Sequence, residues 1–175
     1  MSKLRSYAPA FIKRIVWNRR YRSIGINTEE CPNDLLERLS RSDPDANLLD
    51  LGCGAGNLRA GLRLLGWNGR FIGVDVSKQA IEVAKQSGDI NAEWHVGSIE
   101  NFPIPTEKVS TICLCESIYY VKVGQVPALL ERCRQSLASP EGLIIIRIWH
   151  TDRHREYIAL LAGMGAQCHP PIYIL

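Results

Sequence analysis

The stretch "LLDLGCGAGNLRAGL" (48–62) constrains this chain more than any other. An apolar run carrying one acid, Asp50, leads into Gly52, Gly54 and Gly56 at alternate positions. Beyond them Leu58, Leu62 and Leu65 recur at i, i+4 and i+7, the spacing of one helix face, and Gly66 stands where a C-terminal cap is expected. A strand, a glycine loop and a helix in that order form a unit that brings backbone close to a nucleotide-like ligand.

The unit recurs. "RFIGVDV" (70–76) predicts a second strand, and Ser77 an N-cap for a helix through Ala80, Ile81 and Ala84 that ends at Gly88. "AEWHV" (92–96) and "VSTICLC" (109–115) predict strands three and four. Val126, Leu129, Leu130, Cys133 and Leu137 mark an amphipathic helix stopped by "SPEG". "GLIIIRIWH" (142–150) is apolar without alternation, as a fifth strand covered on both faces should be. A further helix is expected over 152–164, with Tyr157, Leu161 and Met164 on one face. The alternation predicts an α/β fold: Rossmann-like, doubly wound, a mostly parallel sheet with helices on both faces. Such sheets bind ligands at their carboxyl edge, where strand order reverses, and the glycine loop belongs there. "AQCHPPIYIL" (166–175) holds two prolines and offers material for one more strand. The expectation is an abbreviated C-terminal end, a six-stranded sheet, and an edge beside strand five that is open or covered by a partner.

Composition narrows the class. At 175 residues the length suits one domain with a real core. No apolar run approaches the roughly 20 residues of a membrane span, and the first residues do not read as a secretory signal. The six cysteines (31, 53, 113, 115, 133, 168) form no C-x-x-C pair and no zinc spacing. They read as reduced, buried thiols of a cytoplasmic protein that holds no metal. Charge is uneven. Residues 1–28 carry seven bases and no acid, leaving fourteen bases against eighteen acids in the remainder. The chain therefore divides into a basic N-terminal segment, 1–28, and a single domain, 29–175. Sparse serines argue against a transit peptide there.

The loop also selects among ligands. A dinucleotide fingerprint places its third glycine where this chain has Asn57. There is no G-K-[ST], and Asp50 directly before the glycines would repel a pyrophosphate. NAD and ATP are both disfavoured.

"LDLGCGAGNL" instead resembles the first motif of class I S-adenosylmethionine-dependent methyltransferases, and further motifs follow in order over about residues 17–165. Asp75 in "GVDVS" corresponds to the acid that holds both ribose hydroxyls. "GSIENFP" (97–103) corresponds to the segment along adenine, with Ser98 where the family usually has Asp. "ICLCESIYYV" (112–121) corresponds to the fourth motif, its double tyrosine resembling small-molecule N-methyltransferases of the nodulation type. The resemblance implies S-adenosyl-L-methionine as cofactor, contacted by Asp50, Gly52, Cys53, Gly54, Gly56, Asp75, Val76, Ser98, Ile99 and Cys115. Candidates for the chemistry lie at the ends of strands four and five: Glu116, Tyr119, Tyr120, Trp149 and His150, of which Tyr120, Glu116 and His150 lead.

"CESIYY" lacks the Asn/Asp-Pro-Pro-aromatic sequence of nucleic-acid base methylases, and no carboxylate cluster suggests magnesium. The reading is metal-free methyl transfer to a nitrogen or oxygen of a small-molecule acceptor. Three readings compete with it: an RNA methyltransferase that holds phosphates with the N-terminal bases, a non-catalytic cofactor-binding subunit, and an NAD-dependent oxidoreductase. In the N-terminal segment Ala8, Phe11, Ile12, Ile15 and Val16 recur at helical spacing, with Lys13, Arg14, Arg19 and Arg20 mostly on other faces. "VWNRRYRS" resembles the W-x-x-R-Y segment that precedes the cofactor site in small methyltransferases. That resemblance implies a lid in which aromatic residues shield the methionine end and Arg22 pairs its carboxylate. The plainer alternative is a helix that only caps the sheet.

Overall fold

A computed structural model describes residues 8–21, 31–104 and 108–175. Seven strands form one sheet: β1 (Leu48–Leu51), β2 (Phe71–Asp75), β3 (Ala92–Val96), β4 (Thr111–Cys115), β5 (Leu143–Arg147), β6 (Gln167–His169) and β7 (Ile172–Ile174). Their order across the sheet is β3-β2-β1-β4-β5-β7-β6. The first five strands run parallel, and β7 lies antiparallel between β5 and β6.

Among the described residues six α-helices accompany it: α1 (Ala10–Tyr21), α2 (Asn33–Ser40), α3 (Asn57–Leu64), α4 (Lys78–Lys85), α5 (Val126–Gln135) and α6 (Arg155–Gly163). Period-two alternation along the strands divides the core into two layers. Leu49, Leu51, Ile72, Val74, Ile112, Leu114, Ile144, Ile146 and Tyr173 meet Leu129, Leu130 and Cys133 of α5 and Tyr157 and Leu161 of α6. Leu48, Phe71, Cys113, Ile145, Ile172 and Ile174 meet Leu35 and Leu39 of α2 and Leu58 and Leu62 of α3. Ser77 caps α4 as expected, its hydroxyl accepting from the Ala80 amide at 3.1 Å. Strand order reverses at β1, with β2 on one side and β4 on the other.

Three features depart from the sequence reading. The sheet has seven strands, not six. Pro170 and Pro171 do not weaken one strand but form the two-residue turn between two strands of three residues, where no ladder N–H is required of them. The chain's own β7 therefore closes β5, pairing Ile145 with Ile174 and Arg147 with Ile172, and the exposed β6 becomes the edge. Second, α2 had no counterpart in the reading, because two turns with only Leu35 and Leu39 buried give little periodicity. Third, the apolar residues of α1 face outward, a point the sequence reading left open. Phe11, Ile12, Ile15 and Val16 are 55%, 39%, 60% and 55% exposed, whereas Lys13 is buried and Trp17 and Tyr21 follow it on the inner face at i+4 and i+8. Asn18 fastens α1 to the start of α4, its Oδ1 accepting from the Ser77 hydroxyl at 2.8 Å and the Gln79 amide at 3.3 Å.

Candidate functional site

The carboxyl ends of β1, β2, β3 and β4 open into a cavity of 360 Å³ roofed by α1. Gly52, Asp75, Val76, Ser98, Ile99, Glu100, Cys115, Glu116, Ser117, Tyr119 and Tyr120 line it from below, and Lys13, Trp17, Arg20 and Tyr21 line it from the roof.

The glycine loop is stitched to β2 by the Gly52 and Cys53 amides, which donate to the Val74 carbonyl at 2.7 and 3.0 Å. Gly52 and Gly54 take φ values of +95° and +55°, in the left-handed region that L side chains avoid. A Cβ on Gly52 would strike the side chain of Ser117, and one on Gly54 would come within 2.7 Å of the Tyr21 hydroxyl oxygen. The glycines thus admit the protein's own side chains, a closer packing reason than the ligand approach expected of them. Gly56 lies away from the cavity against Trp94, and Cys53 is buried with its thiol directed at the Gly54 carbonyl, 3.6 Å away.

Two buried acids stand at the β1 and β2 ends. Asp75 Oδ2 accepts from the Gly54 amide at 3.0 Å and Oδ1 from the Ser77 amide at 2.8 Å. Burial raises its pKa, and those two amides oppose the rise. A carboxylate has about four acceptor sites, so two remain on an acid that lines the cavity. Asp50 is 2% exposed, and its Oδ1 has no hydrogen-bond partner. Burial, then the proximity of Asp75, pushes its carboxyl up to about 8.

The β3 end differs from expectation. Ser98 lines the cavity, but its hydroxyl donates to Glu100 Oε2 at 3.0 Å. That same oxygen takes the ammonium of Lys13 at 3.1 Å, and Lys13 also donates to the Tyr120 carbonyl at 2.7 Å. Glu100, two residues beyond the position the motif marks, is therefore the acid here. The sequence signal for it was the adjacent "SIE".

The β4 and β5 ends carry an acid that receives three hydrogen bonds. Glu116 has φ +51°, unusual for a side-chain-bearing residue, while its amide continues the ladder to the Arg147 carbonyl at 3.0 Å. Its Oε1 accepts from Arg147 Nη1 at 2.6 Å, and its Oε2 from the Trp149 amide at 3.1 Å and the Tyr119 hydroxyl at 3.2 Å. Burial and the Glu116 carboxylate raise the Tyr119 pKa far above the ordinary tyrosine range, so Tyr119 is a neutral donor. Burial likewise keeps Cys115 a thiol. Tyr120 lies between Trp17, edge-on at 5.6 Å, and Tyr119 at 4.9 Å.

The structure thus gathers Glu116, Tyr119 and Tyr120 with Gly52, Asp75, Val76, Ser98, Ile99 and Cys115. His150 stands apart, its Nε2 at 2.5 Å from the Tyr173 hydroxyl, and Trp149 is 61% exposed. Arg22 lies outside the described residues, as does the 28/29 division between lid and domain. Among the described residues no His, Cys, Asp or Glu cluster could hold a metal, and no helix is long and apolar enough to cross a membrane. Missed by the sequence reading were Asp34 and Arg147. A single arginine inside an otherwise apolar strand was the available signal for the second.

Residues 48–142, more than half of the chain, match the family model of the methyltransferase domain. This chain belongs to that family. The release factor glutamine methyltransferase of Enterococcus faecalis (strain ATCC 700802 / V583) is 33% identical over 87 residues, 45% of this chain and 30% of that protein. The match spans less than a third of that relative's length. The solved DhpI-SAM-HEP complex superposes with a TM-score of 0.69 at 17% identity, over 95% of the methyltransferase described here and 97% of that chain. An S-adenosylmethionine-dependent methyltransferase from Mesorhizobium loti superposes at 0.60 and 20% identity, over 71% and 56% of the two chains. At these identities the likeness is one of fold.

The family's cofactor is S-adenosylmethionine, and the residues present fit it. The unpartnered Asp50 carboxylate suits an ammonium group, and the two open acceptor sites on Asp75 suit a pair of hydroxyls. Ser98, Ile99 and Glu100 supply a wall with one apolar and two polar side chains for a purine edge.

Proposed function

We propose that this methyltransferase transfers a methyl group from S-adenosylmethionine to a nitrogen or oxygen of a small-molecule acceptor. The observation that carries the reading is the roofed cavity, in which the under-partnered Asp75 at the β2 end lies opposite Glu116, which receives three hydrogen bonds, and two tyrosines at the β4 end, with the buried Asp50 nearby in β1. When bound, the cofactor supplies an electrophilic methyl that needs no further activation. What is asked of the chain is alignment of the nucleophile and exclusion of water. Asp75 and Asp50 orient the ribose and the amino group. Helix α1 acts as a lid: Lys13 ties it to Glu100 and Tyr120, and Trp17 and Tyr21 cover the centre of the cavity. Glu116 and Tyr119 hydrogen-bond the acceptor. Neither serves as a strong base, because Glu116 already receives three hydrogen bonds from its own chain and Tyr119 keeps its proton.

A small acceptor is favoured by the roof, since Lys13, Trp17, Arg20 and Tyr21 cover a cavity of only 360 Å³ that cofactor and acceptor would share. The bases that an RNA-binding reading would need are partly committed inward, since Lys13 is buried against Glu100. Incubation with methyl-labelled S-adenosylmethionine and pools of small amines and alcohols, with RNA and protein fractions in parallel, tests the proposal. Label in the small-molecule fraction is the expected result. Label confined to RNA or protein overturns it.

A further inference from the structure

Glu116 sits in the left-handed region that side-chain-bearing residues avoid, and such a conformation persists only where the surrounding structure holds it. Two residues outside the cavity supply the hold. Arg147, at the end of β5 and 9% exposed, reaches Glu116 Oε1 with Nη1. Its Nε donates to both oxygens of Asp34, at 2.9 and 3.1 Å. Asp34 is itself fixed at the start of α2, where its Oδ1 accepts from the Leu35 amide at 2.8 Å. The Trp149 ring covers the guanidinium at 5.8 Å, and its amide completes the grip on Glu116 Oε2.

The result is a chain of charges running from α2 through β5 to the cavity wall. Three donors occupy Glu116, and a carboxylate accepts about four. One acceptor site is left, on a side chain that lines the cavity. We propose that Asp34 and Arg147 are positioning residues that hold Glu116 as a fixed acceptor for one N–H or O–H of the methyl acceptor. Arg147 touches neither reactant. It acts by preventing the Glu116 carboxylate from swinging out of the wall, and with it the Tyr119 hydroxyl, whose ring is stacked on His154 at 4.3 Å. This inference rests on the proposed methyl transfer and names the part of the site that selects the acceptor: a group that offers a hydrogen-bond donor.

The test compares Arg147→Met, Asp34→Asn and the isosteric Glu116→Gln with the wild type. Calorimetric binding of S-adenosylhomocysteine comes first. All three variants should bind it within twofold of the wild type. A wild type that fails to bind it, or that labels no small amine or alcohol, overturns the underlying reading of the cavity instead. The second measurement is the ring resonance of Tyr119 at neutral pH in protein with carbon-13-labelled tyrosine, assigned through Tyr119→Phe. Loss of the carboxylate acceptor should shift it in Glu116→Gln, and Arg147→Met should shift it in the same direction. With whichever amine or alcohol the labelling pools reveal, Arg147→Met should raise KM at least tenfold with a much smaller change in kcat, the signature of lost ground-state binding. Asp34→Asn should show the same change in smaller measure, and Arg147→Lys should restore part of it. If Arg147→Met does not fold, Asp34→Asn and Arg147→Lys carry the test with the same readouts. An unmoved Tyr119 resonance together with wild-type KM in the Arg147 and Asp34 variants overturns the proposal, as does a loss of S-adenosylhomocysteine affinity as large as the loss in KM.

Discussion

The two halves of the sheet's carboxyl edge treat their acids in opposite ways. At the β1 and β2 ends Asp50 has an oxygen with no partner and Asp75 keeps two acceptor sites open, although both are more than nine-tenths buried. At the β4 and β5 ends Glu116 is more accessible yet receives three donors from its own chain. Leaving a buried acid unpartnered costs stability, and the protein tolerates it only where something else is to bind. On the proposed reading, the half holding Asp50 and Asp75 is built around what a ligand brings, and the half holding Glu116 is built before the ligand arrives.

The sharpest way to break this contrast is Asp75→Ala. Two hydrogen bonds to a charged acceptor are lost, each worth about 1.5–3 kcal/mol in such settings. S-adenosylhomocysteine affinity should fall at least roughly tenfold, with the far-ultraviolet circular dichroism unchanged. The Gly54 and Ser77 amides lose their partner as well, so a somewhat lower Tm belongs to the same prediction. Wild-type affinity in this variant would mean that the open sites on Asp75 are not where the ribose lies.

Asp50 gives the next effect, and it is one of pH. Its carboxyl is raised from an ordinary 3.8 to about 8 by burial and by Asp75. A raised acid binds its proton more tightly in the folded state, so its stabilising contribution is complete below about pH 4 and is lost as pH climbs to about 8. Ligand-free protein should therefore lose Tm between pH 5 and 8, by up to about 1.4 kcal/mol of stability per unit. Asp50→Asn should flatten much of that slope and raise Tm at pH 8. Asp75, shifted in the same direction, leaves a residue of it. Saturating S-adenosylhomocysteine, which brings an ammonium to the carboxylate, should flatten the slope in the wild type. A Tm that rises with pH over this window, or one untouched by Asp50→Asn, would show that Asp50 is not an unpaired acid.

How much of this was legible beforehand follows the same division. The strand–loop–helix order, Asp75 and the carboxyl edge were readable because they depend on local spacing: glycines at alternate positions, a Ser N-cap, apolar runs of strand length. The acceptor half was not, because its organising contact joins residues 113 positions apart, Asp34 and Arg147. No periodicity reports such a pair. The C-terminal hairpin escaped because prolines read as strand breakers when they were turn residues between strands of only three. Helix α1 was legible as a helix, but its spacing alone did not give its orientation. Apolar spacing placed Phe11, Ile12, Ile15 and Val16 on one face but could not tell that a lysine, finding Glu100 and a carbonyl, would displace that face from the protein.

That helix gives a third and smaller test, which joins the two halves it roofs. Lys13 is buried, and both of its partners belong to the floor of the cavity. Lys13→Met keeps the stem and removes the charge, leaving Glu100 with only the Ser98 hydroxyl. Breaking one partner of a well-buried ion pair while the other remains is destabilising. Glu100 retains about a fifth of its side-chain exposure, so the cost should be on the order of 1–2 kcal/mol in denaturant unfolding. Unchanged stability would detach the roof from the floor.

The smallest expected effect lies on the other side of the same helix. Ile15 is 60% exposed, so Ile15→Ser should change unfolding free energy by less than about 0.5 kcal/mol. Were the apolar stripe the inner face, as its spacing suggests, the same substitution would remove a buried aliphatic side chain and cost about 2–5 kcal/mol. Trp17→Ala supplies the control, since Trp17 packs on Tyr21 at 5.8 Å and on Tyr120 at 5.6 Å and lines the cavity. It should weaken S-adenosylhomocysteine binding several-fold where Ile15→Ser leaves it alone. The ratio of the two effects measures which way the roof faces: a large loss from Ile15→Ser and none from Trp17→Ala would require α1 to be turned by about half a rotation, taking Lys13 away from Glu100 and opening the cavity that both halves share.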